Sequence, residues 1–396
     1  MPGKHFLFVP GPTNVPDRVL LAMHRAQEDH RSSAFPALPR SLFTDLKKVF
    51  GTTTAQPFIF AASGSAMWEA SLVNSLSPGD RVLAVRLGQF SHLFIDCAQR
   101  LGMTVDVIDV EWGEPAPAAQ IGNALAADVG HEIKAVLVVH NETSTGVTSD
   151  IGAVRRAMDA AGHPALLHVD GVSSIGSLSF RFDDWKVDFA IAGSQKGFMM
   201  PAGVGLLCVS EKALALAEQA RCPRVFFDVR DQARHNADGY FPYTPPLAHL
   251  YGLREALDLL LDEGLERVTA RHLRLAEGVR RAISAWGLTL CARQPQTFSG
   301  TVSAVVVPAG SDARRVIDIA FRRYNLSLGG GMGQLAGKVF RIGHLGDLNE
   351  LMLLGALSGV EMALNDAEIP VILGSGIAAA QRWWRESAPS LPTRVA

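Results

Sequence analysis

The chain has 396 residues, a formal net charge of −2, 48% hydrophobic residues and 19% charged residues. At about 100–200 residues per domain, this length indicates two or three domains. The near-neutral charge argues against a general nucleic-acid binder or a protein of anionic membrane surfaces, since both need a basic excess. Glycine is enriched at 37 residues, roughly 9% against the usual ~7%, which indicates tight turns and close backbone approaches.

Cysteine usage and the terminus indicate a cytoplasmic protein. The four cysteines are far apart and form no CxxC pair, so we expect reduced thiols and no zinc ribbon. No HExxH motif is present, and we expect no metal site. The first residues lack the apolar core of a signal peptide, and no segment has the 18 or more apolar residues typical of a membrane span.

Residues 55–210 alternate short apolar runs with helical patterns. The predicted strands are 58–61, 81–85, 104–110, 134–140, 165–170, 189–194 and 203–210, and the helices between them include 66–76, 93–101 and 151–161. Nearly continuous apolar runs are typical of strands buried on both faces of a parallel sheet. The alternation predicts an α/β domain, in which ligands bind at the carboxyl ends of the strands.

The pattern changes after residue 210. A loop rich in proline and aromatic residues (239–252) leads into a long helical region, 246–286. Two strands and two helices follow, at 303–308, 312–324, 338–344 and 348–365, with a glycine-rich loop in between. This part predicts a smaller α+β domain.

Two glycine clusters resemble nucleotide-binding loops. GSGIAAA (374–380) fits G-x-G-x-x-A, but about 20 residues remain after it, too few for a second strand of a dinucleotide-binding unit. An NAD-dependent enzyme using Gly374, Ser375 and Gly376 is therefore a weak alternative, and a helix start is favoured. GGGMGQLAGK (329–338) lacks the P-loop spacing, which leaves a plain turn or a loop close to a ligand.

Three features at predicted strand ends carry chemistry. Ser63-Gly64-Ser65 opens a helix and could hold an anion, although such residues are also ordinary helix caps. Asp170 ends an apolar strand and is either a turn residue or the partner of a buried cation. Lys196 ends another; burial lowers an ammonium pKa and favours a nucleophilic amine, although a lone lysine more often reaches solvent.

Together the three features match pyridoxal phosphate. Its phosphate needs a turn at a helix N-terminus, its aldehyde needs a lysine, and its protonated pyridine nitrogen needs a carboxylate. The order of Ser63-Gly64-Ser65, Asp170 and Lys196 along the chain fits this cofactor.

The motifs resemble those of the class V aminotransferases, fold-type I pyridoxal-phosphate enzymes, and within them the glyoxylate aminotransferases. The segments that carry the resemblance are FVPGPTNVP (8–16), EDHRS (28–32), ASGSAMWEA (62–70), LSPGDRVL (76–83), GQFSH (88–92), HNETSTGV (140–147), HVDGVSSIG (168–176), GSQKGFMMPAGVG (193–205), YFPYTPP (240–246) and GKVFRIGHLG (337–346). Gln195 stands where the related cysteine desulfurases usually carry histidine, which counts against them.

The resemblance implies a fold: an α/β large domain with a mostly parallel sheet covered by helices on both faces, and a smaller α+β C-terminal domain. We predict an N-terminal arm (1–20) near the active site, a large cofactor-binding domain (21–265), a small domain (266–384) and a mobile tail (385–396).

The resemblance also implies roles for individual residues. Lys196 would hold the cofactor and shuttle a proton, and Asp170 would pair with the pyridine nitrogen. The phosphate would be bound by Ser63, Gly64, Ser65 and Gln195, with Tyr243 and Thr244 contributed by the partner of a homodimer with shared active sites. Phe90 would stack on the ring, where some relatives have tryptophan, and Thr143 would face its phenolic oxygen.

Arg341 is a candidate carboxylate clamp on independent grounds. It lies mid-strand in KVFRIGH, where a guanidinium is costly unless paired, and bidentate carboxylate binding is its best use. An internal salt bridge is the alternative. Gly11, Thr13 and the glycines of 329–333 would then lie near a small substrate.

The implied reaction moves an amino group from L-serine to glyoxylate, giving hydroxypyruvate and glycine, with no nucleic-acid or membrane partner. Alanine or aspartate is the alternative donor. A dicarboxylate donor would favour a second cation, for which Arg31 beside His30 is a candidate.

Overall fold

The computed structural model describes residues 3–388. Within them the strands, numbered in chain order, are β1 (Phe6–Phe8), β2 (Gln56–Phe60), β3 (Arg81–Arg86), β4 (Thr104–Asp109), β5 (Ile133–Val139), β6 (Asn141–Glu142), β7 (Val147–Thr148), β8 (Leu166–Asp170), β9 (Phe189–Gly193), β10 (Gly205–Val209), β11 (Thr289–Leu290), β12 (Val302–Val306), β13 (Leu326–Gly330) and β14 (Val339–Gly343).

The α-helices of the same residues are α1 (Asp17–Met23), α2 (Ala37–Phe50), α3 (Ala66–Val73), α4 (Gln89–Arg100), α5 (Ala118–Ala127), α6 (Ile151–Ala160), α7 (Glu211–Leu216), α8 (Val229–Asn236), α9 (Leu247–Glu263), α10 (Leu265–Ala285), α11 (Ala313–Tyr324), α12 (Glu350–Asp366) and α13 (Ser375–Glu386). No helix in this part of the chain is long and apolar enough to cross a membrane. All four cysteines are free.

Seven strands form the large sheet, in the order β2-β10-β9-β8-β5-β3-β4. Neighbouring strands are parallel except for β10, which is antiparallel to both β2 and β9. The predicted, mostly parallel sheet is therefore confirmed. Because β2 and β9 both run opposite to β10, the carboxyl ends of the six other strands lie at one edge of the sheet, which we call the carboxyl edge.

The large sheet is buried on both faces. In β5, Val136 and Val138 pack into one apolar cluster, whereas Ala135 and Leu137 pack into another on the opposite face. Burial on both faces explains why these strands read as continuous apolar runs in the sequence. Because helices cover both faces of the sheet, polar side chains can form a binding site at its carboxyl edge.

The C-terminal sheet has more strands than predicted. Its order is β1-β13-β14-β12-β11, with β1 parallel to β13 and the other pairs antiparallel. The sequence predicted β12 and β14 but missed β1, β11 and β13. The predicted glycine-rich loop was wrong at its start, because Gly329 and Gly330 belong to β13. β1 joins the predicted N-terminal arm to this sheet.

Two further segments refine the predictions. The long helical region divides at Gly264, whose φ of +86° ends α9 before α10 begins. The last helix, α13, runs to Glu386, two residues into the predicted tail, of which residues 389–396 lie outside the described part. The domain boundaries at 20, 265 and 384 stay predictions.

The GSGIAAA segment starts a helix. The N–H groups of Gly374 and Gly376 donate to the buried carboxylate of Glu361, both at 2.7 Å. A pyrophosphate would need these same N–H groups. The helix-start interpretation is therefore correct.

Candidate active site

A cavity of about 300 Å³ lies at the carboxyl edge. It is lined by Gly11, Pro12, Ser65, Trp68, Phe90, Asn141, Thr143, Asp170, Val172, Ser173, Gln195, Lys196 and Ala202. These residues follow β2, β3, β5, β8 and β9 or come from the N-terminal arm. The fold thus brings together side chains that are up to 191 residues apart, from Gly11 to Ala202.

Lys196 projects into this cavity just after β9. Its Nζ donates a hydrogen bond to the carbonyl of Pro10. Burial, and to a smaller extent the positive charge of Arg341, lower the pKa of Lys196 to about 8, although Asp170 opposes both effects. A lysine with this pKa has a larger neutral, nucleophilic fraction near neutral pH than an ordinary one.

Asp170 ends β8 on the same cavity and is 4% exposed. Its Oδ2 accepts a hydrogen bond from Trp68 Nε1 at 2.9 Å, and its Oδ1 accepts one from the Val172 N–H at 2.8 Å. Burial raises the Asp170 pKa to about 6, although these hydrogen bonds favour the carboxylate. A cationic group of a ligand beside Asp170 would stabilise its charged form.

Trp68 is a site residue that the sequence analysis missed. It stands in the quoted motif ASGSAMWEA, in the first turn of α3, but only its indole N–H reaching Asp170 gives it a function. The cavity wall also contains Asn141, Val172 and Ser173, which the analysis quoted within motifs without assigning roles.

The Ser63-Gly64-Ser65 turn precedes α3 at the end of β2. Ser65 lines the cavity, and both serines are exposed. A Cβ on Gly64 would lie 2.8 Å from Cγ2 of Val172, so the turn can approach the cavity wall only with glycine there. Next to it, the buried Oε1 of Gln195 has no hydrogen-bond partner among residues 3–388, so this acceptor is left for a donor of a ligand.

Gly11 and Thr13 bring the N-terminal arm over Lys196. Gly11 has a φ of +98°, and a Cβ there would collide with the lysine side chain. The Thr13 N–H donates to the Gln195 carbonyl at 3.2 Å, and its hydroxyl lies 3.4 Å from the Lys196 carbonyl. The arm therefore forms one wall of the cavity.

Arg341 lies in β14 behind Thr143 and is 8% exposed. Its Nε donates to the Gly330 carbonyl at 2.8 Å, and its Nη1 donates to the Thr143 carbonyl at 3.1 Å. Burial lowers the Arg341 pKa to about 10, and Glu142 opposes that effect. Because both partners are carbonyls, the guanidinium keeps its full charge for a carboxylate ligand. Arg341 forms no ion pair within residues 3–388, so the alternative of an internal salt bridge is not observed there.

Tyr243 and Thr244 lie outside the cavity of their own chain. Both are exposed. The Tyr243 ring stacks on Phe226 with a centroid distance of 5.4 Å, and its hydroxyl lies 3.5 Å from the Val225 carbonyl. Arg31 is also exposed and away from the cavity lining. None of the three can act in this chain's own cavity as it stands.

The Lys196 pKa can be tested without any ligand. We expect carbamylation of Lys196 by cyanate to reach half its maximal rate near pH 8, because burial and Arg341 lower the pKa from 10.5 to about 8. The variant Arg341→Met should move the midpoint to higher pH, since one of the two causes is removed. Peptide mass mapping across a pH series measures both. A midpoint at the ordinary 10.5 in the unsubstituted protein contradicts the assignment.

Comparison with known proteins agrees with this site. The family model "Aminotransferase class-V" matches residues 5–320. The chain is 61% identical to a serine–glyoxylate aminotransferase of Methylorubrum extorquens, covering 98% of this chain and 97% of that one. It is 50% identical to an L-aspartate–glyoxylate aminotransferase of Paracoccus denitrificans, covering all of both chains.

A solved structure also matches. The pyridoxamine–pyruvate aminotransferase of Mesorhizobium loti superposes with a TM-score of 0.90 at 30% identity, covering 97% of both chains. The predicted fold-type I transferase architecture is confirmed. The chain belongs to the class V aminotransferase family.

Proposed function

We propose that the chain is a pyridoxal-phosphate-dependent aminotransferase that moves the amino group of L-serine to glyoxylate, giving hydroxypyruvate and glycine. The observation that carries this proposal is the pair of Asp170, which is buried, and Lys196, which is half-buried: the two groups have opposite charges and line one cavity beside the turn at Ser65. When bound, pyridoxal phosphate supplies an aldehyde for the amino group and a pyridinium that withdraws electrons.

The residues of the cavity fit this cofactor. A carboxylate with a raised pKa suits a pyridinium N–H, because the cation favours the ionised form of Asp170. The turn at Ser63, Gly64 and Ser65, at the N-terminus of α3, suits a phosphate. Gln195 also lines the cavity, and the NH₂ group of its amide is a donor that a phosphate can accept. Phe90 offers an aromatic face, and Thr143 also lines the cavity.

Lys196 has two tasks in this proposal. Its Nζ holds the cofactor until the substrate's amino group takes its place. The released amine would then carry a proton from the substrate α-carbon to the carbon of the cofactor's aldehyde, for which a pKa of about 8 is suitable near neutral pH.

Arg341 binds the carboxylate shared by the donor and the acceptor. Its guanidinium is held by two carbonyls, so it is already oriented when the substrate arrives. A Cβ on Gly329 would lie 3.2 Å from Cβ of Arg341, so glycine at this position leaves the space beside the Arg341 side chain open. Identity of 61% to a serine–glyoxylate aminotransferase supports serine as the donor, and identity of 50% to an aspartate–glyoxylate aminotransferase keeps aspartate as the alternative.

A homodimer with shared sites accounts for Tyr243 and Thr244. Both are exposed and lie away from their own cavity, which supports a role in the cavity of the partner. Ser63 and Ser65 are exposed as well, as expected of a phosphate turn that a partner completes.

The cofactor assignment is tested at Lys196. We expect Lys196→Ala to lose the absorbance of the lysine-bound cofactor and to lower transamination by about 1,000-fold or more, because both tasks of the amine are removed. The control Lys134→Ala alters an exposed lysine that donates to the His131 carbonyl, and it should keep both. An unchanged spectrum in Lys196→Ala overturns the assignment.

The donor is tested by comparing kcat/KM for serine, alanine and aspartate with glyoxylate as acceptor. We expect serine to exceed the other two by about tenfold or more, the discrimination that a few changed pocket contacts supply. Aspartate at or above serine would establish the alternative donor and leave the aminotransferase assignment intact.

Shared sites are tested by mixing two inactive variants. Lys196→Ala lacks the amine, and Thr244→Glu places a negative charge where the partner's phosphate would bind. In a hybrid dimer one site has both native groups, so an equal mixture should recover about a quarter of the native activity after subunit exchange. If Thr244→Glu is fully active alone, or the mixture stays inactive, the shared site is wrong.

A further inference from the structure

A buried carboxylate next to the cavity has no role in the proposed chemistry. Glu142 is fully buried and follows β5, between the cavity residues Asn141 and Thr143. Its Oε1 accepts hydrogen bonds from the Ser144 hydroxyl at 2.6 Å and the Ser144 N–H at 3.1 Å. The carboxylate points away from the cavity, toward the start of α4.

The same carboxylate caps α4. It accepts hydrogen bonds from the N–H groups of Ser91 at 3.0 Å and Phe90 at 3.3 Å. Both donors belong to the first helical turn, where N–H groups have no partner within the helix. A negative charge there is stabilised by the helix dipole. The packing is close, because a Cβ on Gly88 would collide with the Glu142 carboxylate. The buried carboxylate therefore keeps its hydrogen bonds only while the first turn of α4 stays in this position.

Glu142 thereby connects two walls of the cavity. One wall contains Phe90, whose backbone N–H donates a hydrogen bond to Glu142. The other is Thr143, the next residue, whose carbonyl holds Nη1 of Arg341 at 3.1 Å. Its charge also opposes the loss of the Arg341 proton, since burial lowers the Arg341 pKa and Glu142 raises it.

We propose that Glu142 is a positioning residue that fixes Phe90 against the cofactor ring and Thr143 against Arg341, without contacting cofactor or substrate. This inference rests on the proposed function. It predicts that the Glu142 carboxylate affects the affinity for the cofactor, because the carboxylate holds Phe90 in the position from which its ring contacts the cofactor.

Glu361 is a matched control within the same chain. It is also a buried glutamate, and its side chain reaches from α12 to the start of α13. Its carboxylate accepts hydrogen bonds from the N–H groups of Gly374 and Gly376, both at 2.7 Å, and from the indole N–H of Trp286 at 2.9 Å. Glu361 is not among the residues that line the cavity. A merely structural role of Glu142 predicts the same behaviour for both residues.

The test compares Glu142→Gln with Glu361→Gln. An amide has one acceptor oxygen, so in Glu142→Gln its NH₂ group must face backbone N–H donors in either orientation. We expect the dissociation constant of pyridoxal phosphate from the protein to rise about tenfold, because buried donors are left unpaired at the helix end that carries Phe90. Glu361→Gln should lower the melting temperature and leave that constant unchanged.

Phe90 provides the second measurement. If Glu142 acts through it, Glu142→Gln should weaken cofactor binding much less in a Phe90→Leu background, which a double-mutant cycle detects. Should Glu142→Gln fail to fold, Ser144→Ala serves in its place. It removes the hydroxyl that donates to the carboxylate and accepts the Gln89 N–H at 2.9 Å, and a smaller effect of the same sign is expected.

The outcomes separate this inference from the proposed function. Equal dissociation constants in Glu142→Gln, Glu361→Gln and the native protein overturn the positioning role, as does full additivity with Phe90→Leu. Failure of the native protein to bind pyridoxal phosphate at all overturns the proposed function instead. Parallel losses of melting temperature alone identify Glu142 as a structural cap.

Discussion

Desolvation of two opposite charges at the carboxyl edge is the constraint on which the site depends. The edge encloses Asp170 and Lys196 in one cavity, and burial shifts both pKa values toward the neutral forms, Asp170 to about 6 and Lys196 to about 8. The attraction between the two charges does not compensate for their burial, because burial has the larger effect on the pKa of each group. A ligand with a cationic ring nitrogen at one end and a carbonyl at the other would satisfy both groups at once.

The sheet makes this burial possible because its interior is apolar on both faces. Helices cover the two clusters, so the strands can end in polar side chains only where the helices leave a gap. The hydrogen bonds from Trp68 and Val172 hold the Asp170 carboxylate in place. Stability and chemistry are thus separated along each strand, with the apolar residues in its middle and the reactive residue at its end.

Much of this arrangement could be predicted from sequence because it follows local rules. Apolar runs identify the buried strands, and strand ends identify Asp170 and Lys196. Trp68 and Glu142 could not be assigned in this way, because their roles depend on hydrogen bonds to residues 102 and 51 positions away, respectively. β13 was missed for a different reason: it ends in two glycines, which have low strand propensity, and pairing with β1 and β14 compensates.

Three of the 37 glycines are required by the route of the N-terminal arm. After β1 the arm crosses the ends of β13 and β14, where a Cβ on Gly329 would lie 2.8 Å from Pro10 and a Cβ on Gly343 would collide with Val9. It then turns at Gly11, where any side chain would collide with Lys196. Side chains at these three positions would lift the arm away from the lysine. The glycines therefore let the arm connect the C-terminal sheet to the carboxyl edge of the large sheet, where the arm forms one wall of the cavity.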